Sequence, residues 1–383
     1  MIKYLDLQAI NRPYEHAADE VLRSGWYLKG EWTRRFEQAY ADYIGTRHCV
    51  GCGNGLDALT LILRAYKEMG VMQEGDEVIV PANTYIASIL AITENRLRPV
   101  LVEPSLDTLQ IDDALIEQAI TPRTRALMIV HLYGRCAYTD RIGDICRRHH
   151  LKLIEDNAQA HGARGPQGAF CGSLGHAAAH SFYPTKNLGA FGDAGAVTTD
   201  DDELAQVVRT LGNYGSARHY VFDYQGRNSR MDELQAAILL AKLSDLDASN
   251  QRRRDIAAMY INKVENQLIR IPQCERDSVC HIFPVLCERR DELQQYLLDN
   301  GVGTEIHYPI PPHRQRCYAR GAQNGLSELS ELSESPSQAS SSLSSLSLPI
   351  TERIHAEELS LPCNQALTDA DVSRIIDLLN SFE

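Results

Sequence analysis

Residues 126–162 read ALMIVHLYGRCAYTDRIGDICRRHHLKLIEDNAQAHG, and this stretch decides the fold. Two near-continuous apolar runs, Ala126–His131 and Leu151–Glu155, predict buried strands. Between them the pattern is helical, with Ile142 and Ile145 on one face. Buried strands joined by a helix indicate a parallel pair inside a sheet that helices cover on both faces.

The same alternation extends from residue 47 to residue 200. The other predicted strands are His48–Gly51, Glu77–Val80, Pro99–Val102, Ala178–Phe182 and Gly195–Thr199. The stretches between them are amphipathic. The sequence therefore predicts an α/β fold with a mainly parallel central sheet, whose ligands bind beyond the carboxyl ends of the strands.

The C-terminal part has a different pattern. A long helical region, roughly Met231–Glu265, with a basic, solvent-facing triplet Arg252–Arg254, is expected to close a large domain of residues 1–265. Residues 266–383 predict a smaller α+β domain. Its predicted elements are a strand His281–Leu286, a helix Asp291–Asn300 ended by Gly301, a strand Thr304–Tyr308 and a last helix opened by Thr368 and Asp371. The serine-rich stretch 325–348 predicts a mobile surface loop.

The composition excludes several classes of function. The 383 residues are 44% hydrophobic and carry a formal net charge of -13, which argues against a nucleic-acid-binding protein. There is no secretion signal and no apolar run long enough for a membrane span, so we expect a cytoplasmic protein without a membrane partner. Cys49 and Cys52 lack further ligands at zinc spacing, so we expect them to pack at a strand end and predict no metal.

A glycine-rich turn, Gly51-Cys-Gly53-Asn54-Gly55-Leu56-Asp57, separates a predicted strand from a helix. Its backbone can approach a phosphate closely, and the helix N-terminus supplies free N–H groups. A tight turn without a ligand explains the glycines as well. The dinucleotide fingerprint would need glycine where Leu56 stands, which argues against a nicotinamide dehydrogenase.

Two further segments contain candidate catalytic residues. The run Ile154–Gly162 places a carboxylate, Asp156, at the end of a buried strand, although such acids are often helix caps. The run Ser181–Gly189 places Lys186 on a tight, glycine-flanked loop after another buried strand, where a Schiff-base lysine belongs, although a surface turn is the simpler alternative. Together with the glycine-rich turn, these segments fit one cofactor, pyridoxal 5′-phosphate.

Four runs in the same order resemble the DegT/DnrJ/EryC1/StrS sugar aminotransferases, which are fold-type I pyridoxal phosphate enzymes. They are Asp76–Ser88, Ile154–Gly162, Ser181–Gly189 and Asn228–Gln235. The resemblance covers the chain apart from the serine-rich stretch. It implies a large domain with the parallel sheet and a smaller C-terminal domain.

The resemblance also implies roles for individual residues. Lys186 would carry the cofactor as a Schiff base and shuttle the proton, and Asp156 would pair with the ring nitrogen. The other cofactor contacts implied are Gln159 at the ring hydroxyl, Tyr85 stacked on the ring, Gly55, Leu56 and Ser181 at the phosphate, and Asn228 at the phosphate of the neighbouring subunit. The active unit would be a homodimer with shared sites. His176 and His180 depart from the family pattern and are expected to be structural.

The substrate is implied by a closer resemblance to 3-aminotransferases of dTDP-3-keto-6-deoxyhexoses, with L-glutamate as amino donor. In that subgroup the residues matching Tyr183, His307 and Tyr308 lie near the sugar and diphosphate, although a structural turn is an equal alternative for the last two. The alternatives are a nucleotide-sugar 4-aminotransferase and a sugar dehydratase, which would carry histidine in place of Lys186. A non-catalytic regulator would bring a basic DNA-binding segment, which the chain lacks.

Overall fold

The computed structural model of the chain describes residues 1–218, 220–274, 276–318 and 343–383. Seven strands form the central sheet: β1 (His48–Cys52), β2 (Glu77–Pro81), β3 (Arg98–Val102), β4 (Thr124–Val130), β5 (Lys152–Asp156), β6 (Ala177–Ser181) and β7 (Gly195–Thr199). Their spatial order is β1-β7-β6-β5-β4-β2-β3. Neighbouring strands from β3 to β6 run parallel, whereas β7 runs antiparallel to both β6 and β1. The predicted mainly parallel sheet is confirmed.

Helices cover both faces of this sheet. Those in the first part of the chain are α1 (Leu7–Asn11), α2 (Asp19–Ser24), α3 (Glu31–Ile44), α4 (Gly55–Glu68), α5 (Ile86–Glu94), α6 (Asp113–Ile116), α7 (Asp140–Arg148) and α8 (Asp202–Gly212). Leu59, Ile62 and Tyr66 of α4 pack against one face, while Ile142 and Ile145 of α7 pack against the other. Burial on both faces explains why the strands are apolar throughout.

The register of the strands places the site. Val130 at the end of β4 pairs with Asp156 at the end of β5, and Asp156 pairs with Ala179 of β6. Since these strands are parallel, the segments that follow them leave from one edge of the sheet. Asp156 and the loop that carries Lys186 therefore lie on the same side, as expected of ligand sites in such folds.

The predicted long helical region, roughly Met231–Glu265, is confirmed. The chain forms two helices, α9 (Glu233–Leu243) and α10 (Leu246–Lys263), with a break at Ser244 and Asp245. Ser244 Oγ donates to Ala241 O at 2.9 Å, and the Asp245 carboxylate accepts from Tyr14 Oη at 2.6 Å. Short polar side chains that bond locally compete with helical hydrogen bonding, as Ser244 does at the end of α9, whereas Asp245 bonds to the distant Tyr14.

The predicted solvent exposure of the basic triplet is wrong at its central residue. Arg253 is 3% exposed. Its Nη1 donates to the carbonyl oxygens of Cys280, His281 and Cys363, at 3.3, 3.3 and 2.5 Å. Arg253 therefore ties α10 to the segments around residues 280 and 363. The spacing of charges along one helix carries no information about these distant carbonyl groups.

The C-terminal part builds a second apolar core around a two-stranded sheet. Its elements are β10 (Phe283–Leu286), α11 (Arg290–Asp299), α12 (Pro349–Glu357), β11 (Glu358–Leu361) and α13 (Asp369–Ser381), and a small hairpin, β8 (Ser216–Arg218) and β9 (Val221–Phe222), lies apart from it. The predicted capping box at Thr368 and Asp371 and the end of α11 at Gly301 are confirmed. The predicted strand Thr304–Tyr308 is wrong, because β10 pairs with β11 and only Glu305 bridges to Ser360.

Other expectations have mixed outcomes. Cys49 and Cys52 are buried free thiols on β1, as expected for packing residues. The serine-rich stretch lies outside the described residues except for 343–348, and the domain boundary at residue 265 stays a prediction. Within the part of the chain that the structure describes, no helix combines the length and the apolarity that a membrane crossing requires.

Candidate active site

Lys186 lies in a tight loop that leaves β6 at the carboxyl edge of the sheet. A Cβ at Gly189 would lie 2.4 Å from Pro184 O, so the turn has no room for a side chain there. Asn187 anchors the loop by donating from Nδ2 to Asn250 Oδ1 at 2.8 Å. The backbone on both sides of Lys186 is thus fixed, which leaves the lysine side chain as the part that can move.

The amine of Lys186 is prepared for nucleophilic chemistry. Among the residues that the structure describes, Nζ makes no hydrogen bond and no ion pair. Burial lowers the pKa of Lys186 to about 8, although the charge of Asp156 opposes this shift. At neutral pH about a tenth of the amine is then unprotonated. A desolvated lysine of this kind forms Schiff bases with aldehydes.

Asp156 ends β5 in a buried, hydrogen-bonded position. It is 6% exposed. Its Oδ2 accepts from Ser88 Oγ at 2.8 Å, and its Oδ1 accepts from the backbone N–H of Ala158 at 3.2 Å. Burial raises the pKa of Asp156, whereas these donors and the Lys186 charge lower it. A buried carboxylate in this state favours a cationic N–H partner, such as a protonated pyridine ring.

The start of α4 offers a place for a phosphate. Asn54 caps this helix by accepting the N–H of Asp57 at 2.8 Å. The N–H groups of Gly55 and Leu56 have no acceptor among the described residues. A Cβ at Gly55 would lie 2.5 Å from Ser181 Cβ, so the helix N-terminus packs directly against the end of β6. Free N–H groups, a helix dipole and a serine hydroxyl together suit an anion.

Gln159 and two tyrosines line the opposite side of the site. The Oε1 of Gln159 accepts the backbone N–H of Tyr133 at 2.6 Å, and its Nε2 donates to Tyr308 Oη at 3.0 Å. The ring of Tyr85 lies 5.0 Å from the ring of Tyr308, at an angle of 40°. Tyr85 and Tyr183 are each 52% exposed, which leaves one face of each ring open to a ligand.

The dipeptide His307-Tyr308 is held at each of its backbone carbonyls and at one amide. Glu358 Oε2 accepts the N–H of His307 at 2.6 Å. The hydroxyl of Tyr133 donates to His307 O, and Nδ1 of His355 contacts Tyr308 O, both at 2.7 Å. The structure thus brings His307 and Tyr308 to the site in a fixed conformation, although they do not form the predicted strand.

The second carboxylate of the acidic pair has a structural role. Glu155 is fully buried and accepts the backbone N–H groups of Gly172, Leu174 and Gly175, at 2.7, 2.8 and 2.7 Å. It also contacts Nε2 of His131 at 2.8 Å. Glu155 therefore fixes the loop between β5 and β6, which leaves Asp156 as the acid that faces the site.

His131 lies beside two thiols. One ligand atom each from His131, Cys136 and Cys171 falls within 4.8 Å of the others. Both ring nitrogens of His131 are already engaged, however, because Nδ1 accepts the N–H of Ala137 at 3.0 Å while Nε2 contacts Glu155. The histidine lone pair is therefore committed to the protein, and this arrangement gives no reason to place a metal ion here.

The two histidines that depart from the family pattern are structural, as expected. His180 is fully buried, and its ring nitrogens contact Tyr40 Oη at 2.9 Å and Thr198 Oγ1 at 2.8 Å. Nδ1 of His176 accepts the N–H of Leu153 at 2.9 Å. Each histidine is therefore held within the fold by its own hydrogen bonds.

Several residues at the site carry no signal in the sequence. Ser88, Tyr133, His355 and Glu358 each contact a predicted site residue, but they come from separate elements and belong to no motif of catalytic spacing. Of these four residues, only Ser88 is indicated by the local sequence, because it follows Tyr85 by one helical turn. These residues could be found only after the chain was folded.

The family model for the DegT/DnrJ/EryC1/StrS aminotransferase family matches residues 9–380. The chain belongs to this family. A curated relative from Aneurinibacillus thermoaerophilus, a dTDP-3-amino-3,6-dideoxy-alpha-D-galactopyranose transaminase, is 47% identical and aligns with 100% of this chain and 99% of its own. A dTDP-3-amino-3,4,6-trideoxy-alpha-D-glucose transaminase from Streptomyces venezuelae is 42% identical over 100% of this chain and 96% of its own.

A solved structure supports the same relationship. The crystal structure of S. venezuelae DesV in complex with a ketimine intermediate superposes with a TM-score of 0.87 and 43% identity, covering 99% of this chain and 97% of that one. The fold is therefore that of the pyridoxal phosphate aminotransferases, and the chain is an aminotransferase with pyridoxal 5′-phosphate as its cofactor. The predicted fold, family and cofactor are confirmed.

The residues present fit this cofactor. Among the described residues, the unpaired Nζ of Lys186 would suit the aldehyde, the buried carboxylate of Asp156 would suit the ring nitrogen, and the free N–H groups at the start of α4 would suit the phosphate. The buried ring of His161, whose nitrogens have no partner among the described residues, is a further polar group beside Phe182. These groups come from different elements that meet at one edge of the sheet.

Proposed function

We propose that this enzyme transfers an amino group from L-glutamate to a dTDP-linked 3-keto-6-deoxyhexose, giving the 3-amino-3,6-dideoxyhexose. One observation carries the proposal: the 47% identity, over the full length of both chains, with a transaminase of a dTDP-3-amino-3,6-dideoxyhexose. A second relative, which aligns over nearly its full length, is also named as a transaminase of a dTDP-3-aminosugar. Lysine at position 186 favours transamination over the dehydratase alternative.

The proposed division of labour assigns the cofactor to one set of residues. When bound, the cofactor supplies an aldehyde and an electron-withdrawing ring that accept and release the amino group. Lys186 would hold it covalently and would serve as the base and acid at the substrate carbon. Asp156 would keep the ring nitrogen protonated, and Gln159 would bind the ring hydroxyl. Tyr85 would contact the ring, while Gly55, Leu56 and Ser181 would bind the phosphate.

A second set of residues binds the sugar nucleotide in this proposal. Tyr183, His307 and Tyr308 would contact the sugar and its diphosphate, and the fixed backbone of the last two supports a role in orienting a substrate. Side chains held in one conformation lose little entropy when a ligand binds. A purely structural role for His307 and Tyr308 would instead leave the affinity for sugar nucleotide unchanged when they are replaced.

We also propose a homodimer with shared active sites, in the cytoplasm. The hairpin β8–β9 exposes Tyr220, Val221 and Phe222, which are 81%, 42% and 60% exposed. Asn228 follows this hairpin and is exposed as well, as a residue that reaches a neighbouring site must be. An apolar patch of this kind favours burial against another chain. The ten free cysteines suit a reducing compartment.

The test of the proposed reaction uses purified protein loaded with pyridoxal phosphate. L-glutamate should bleach the visible band of the bound cofactor, and a dTDP-3-keto-6-deoxyhexose should restore it. The matched control is the 4-keto isomer, which should leave the band bleached. Recovery with the 4-keto isomer and not the 3-keto isomer would contradict the proposed substrate. A band that glutamate does not change would contradict the proposed donor.

The test of the dimer is the mass in solution. Sedimentation should give twice the chain mass for the native protein, and Phe222→Asp should give the monomer mass with lost activity. Asn228→Ala should keep the dimer and weaken cofactor binding. A native monomer with full activity would refute the shared site.

A further inference from the structure

A chain of three polar side chains connects the buried carboxyl of Glu358 to the ring of His307. Ser360 Oγ contacts Glu358 Oε1 directly. The same hydroxyl lies 2.8 Å from Nδ1 of His307. Glu358 and Ser360 are both fully buried, at 0% exposure, on β11. His307, in contrast to these two residues, is partly exposed. It lines a cavity of about 500 Å³ together with Thr185, the residue before Lys186.

The hydrogen bonds in this chain can run in two directions. When Glu358 is ionised, Ser360 Oγ–H donates to the carboxylate, His307 Nδ1–H donates to Ser360, and Nε2 presents a lone pair to the cavity. When Glu358 is protonated, its O–H donates to Ser360, Ser360 donates to Nδ1, and Nε2 carries the proton. Between the two states one proton is taken up from solvent or released to it. The proton between Glu358 and Ser360 and the proton between Ser360 and Nδ1 each move to the neighbouring group.

The surroundings keep His307 neutral in both states. Burial and the charge of Lys186 lower the pKa of His307 to about 4. Around Glu358, Arg290 is the cation that favours ionisation. The tyrosines that face the carboxyl all have raised pKa values and stay neutral: Tyr4, Tyr133 and Tyr308. The proton on Glu358 is thus the one that decides the tautomer of His307.

We propose that Glu358 is a positioning residue that sets, through Ser360, which ring nitrogen of His307 carries the proton. His307 then offers the cavity a hydrogen-bond donor in one state and an acceptor in the other. Resting on the function proposed above, this means that the diphosphate of the sugar nucleotide is bound well only while Glu358 is protonated, because a lone pair repels an anion whereas an N–H attracts it.

The burial of Glu358 sets the pH at which this change occurs. Desolvation raises the pKa of Glu358 to about 8, against the opposing effects of Ser360, the His307 N–H and Arg290. Below that pH the carboxyl is protonated and Nε2 is the donor. Above it the carboxylate forms and Nε2 becomes an acceptor.

The direct test is nitrogen NMR on protein labelled with ¹⁵N-histidine, with the His307 signal identified by its absence from His307→Asn. In the native protein the signals should change from the Nε2–H to the Nδ1–H pattern as the pH rises through about 8. Glu358→Gln should hold the Nε2–H pattern throughout, because its amide oxygen is needed to accept the His307 N–H, which turns the NH2 group toward Ser360 as a donor. Ser360→Ala should abolish the change while the Glu358 to His307 N–H bond remains.

Either of two outcomes would overturn the proposal: a native His307 whose tautomer is constant from pH 6 to pH 10, or a Glu358→Gln variant that titrates as the native protein does. Neither readout depends on the substrate. The relay, meaning the hydrogen-bonded series Glu358, Ser360 and His307, can therefore be confirmed even where the proposed sugar substrate is wrong. A merely structural Glu358 would lower the melting temperature in both variants without altering the His307 signals.

The kinetic test connects the relay to the reaction. In the native enzyme, KM for the sugar nucleotide should rise about tenfold between pH 7 and pH 9, with a smaller change in kcat, since one donor to an anion is lost. Glu358→Gln should give a KM that stays constant over this range. A native KM that does not change, alongside the expected NMR result, would place the relay outside substrate binding and overturn that part of the proposal.

Discussion

Replacement of Ser88 by alanine tests how Asp156 is kept ionised for its proposed role as partner of the cofactor ring. Ser88 is fully buried and donates to Asp156 Oδ2 at 2.8 Å. Its loss leaves the carboxylate with one donor, the N–H of Ala158 at 3.2 Å, and the nearby charge of Lys186. A hydrogen bond to a charged group contributes about 1.5–3 kcal/mol.

The magnitude follows from this energy. Because this hydrogen bond favours the ionised carboxylate, its loss should raise the pKa of Asp156 further in Ser88→Ala. A carboxylate that is harder to ionise is a weaker partner for a protonated ring nitrogen. The amino half-reaction, followed by the loss of visible absorbance after addition of L-glutamate, should therefore slow by about tenfold to a hundredfold.

Thr84→Val is the matched control. Thr84 Oγ1 lies 2.8 Å from Ser88 Oγ, and no hydrogen bond joins Thr84 to Asp156. Its replacement should slow the half-reaction less than Ser88→Ala does. An unchanged rate in Ser88→Ala would refute the role given to this hydrogen bond. Equal losses in both variants would point to repacking of α5 in place of an electrostatic effect.

Three further predictions test other parts of the structure. Lys186→Ala should bind pyridoxal phosphate, seen by cofactor titration, but lose turnover, and substantial residual activity would remove Lys186 from its role. Gly55→Ala should weaken cofactor binding by about tenfold or more, since its Cβ would lie 2.5 Å from Ser181 Cβ. Gly53→Ala, whose closest contact would be 3.3 Å, is the control, and equal losses would exclude the phosphate site at Gly55. Arg253→Met should lower the free energy of unfolding in urea by about 2 kcal/mol or more, because buried carbonyls lose their donor. Arg254→Met should cost less than about 0.5 kcal/mol, and similar values for the two would contradict the tie between α10 and the C-terminal part.

Local sequence pattern was enough to predict the central sheet and the residues proposed to bind the cofactor. All seven strands were predictable because apolar runs bounded by turns depend on local pattern, which burial on both faces makes strong. Gly55, Asp156 and Lys186 could be placed at strand ends for the same reason. Their common edge then follows from the parallel direction of the strands.

Tertiary structure alone decided the contacts between distant segments. Arg253 is buried because three carbonyls far along the chain accept its hydrogen bonds, and Thr304–Tyr308 is not a strand because β11 takes the place beside β10. Ser88 and Glu358 act at the site only because folding brings them to Asp156 and His307. Local sequence patterns report propensity and burial, whereas these roles depend on which partners arrive from elsewhere in the chain, and only the folded arrangement specifies them.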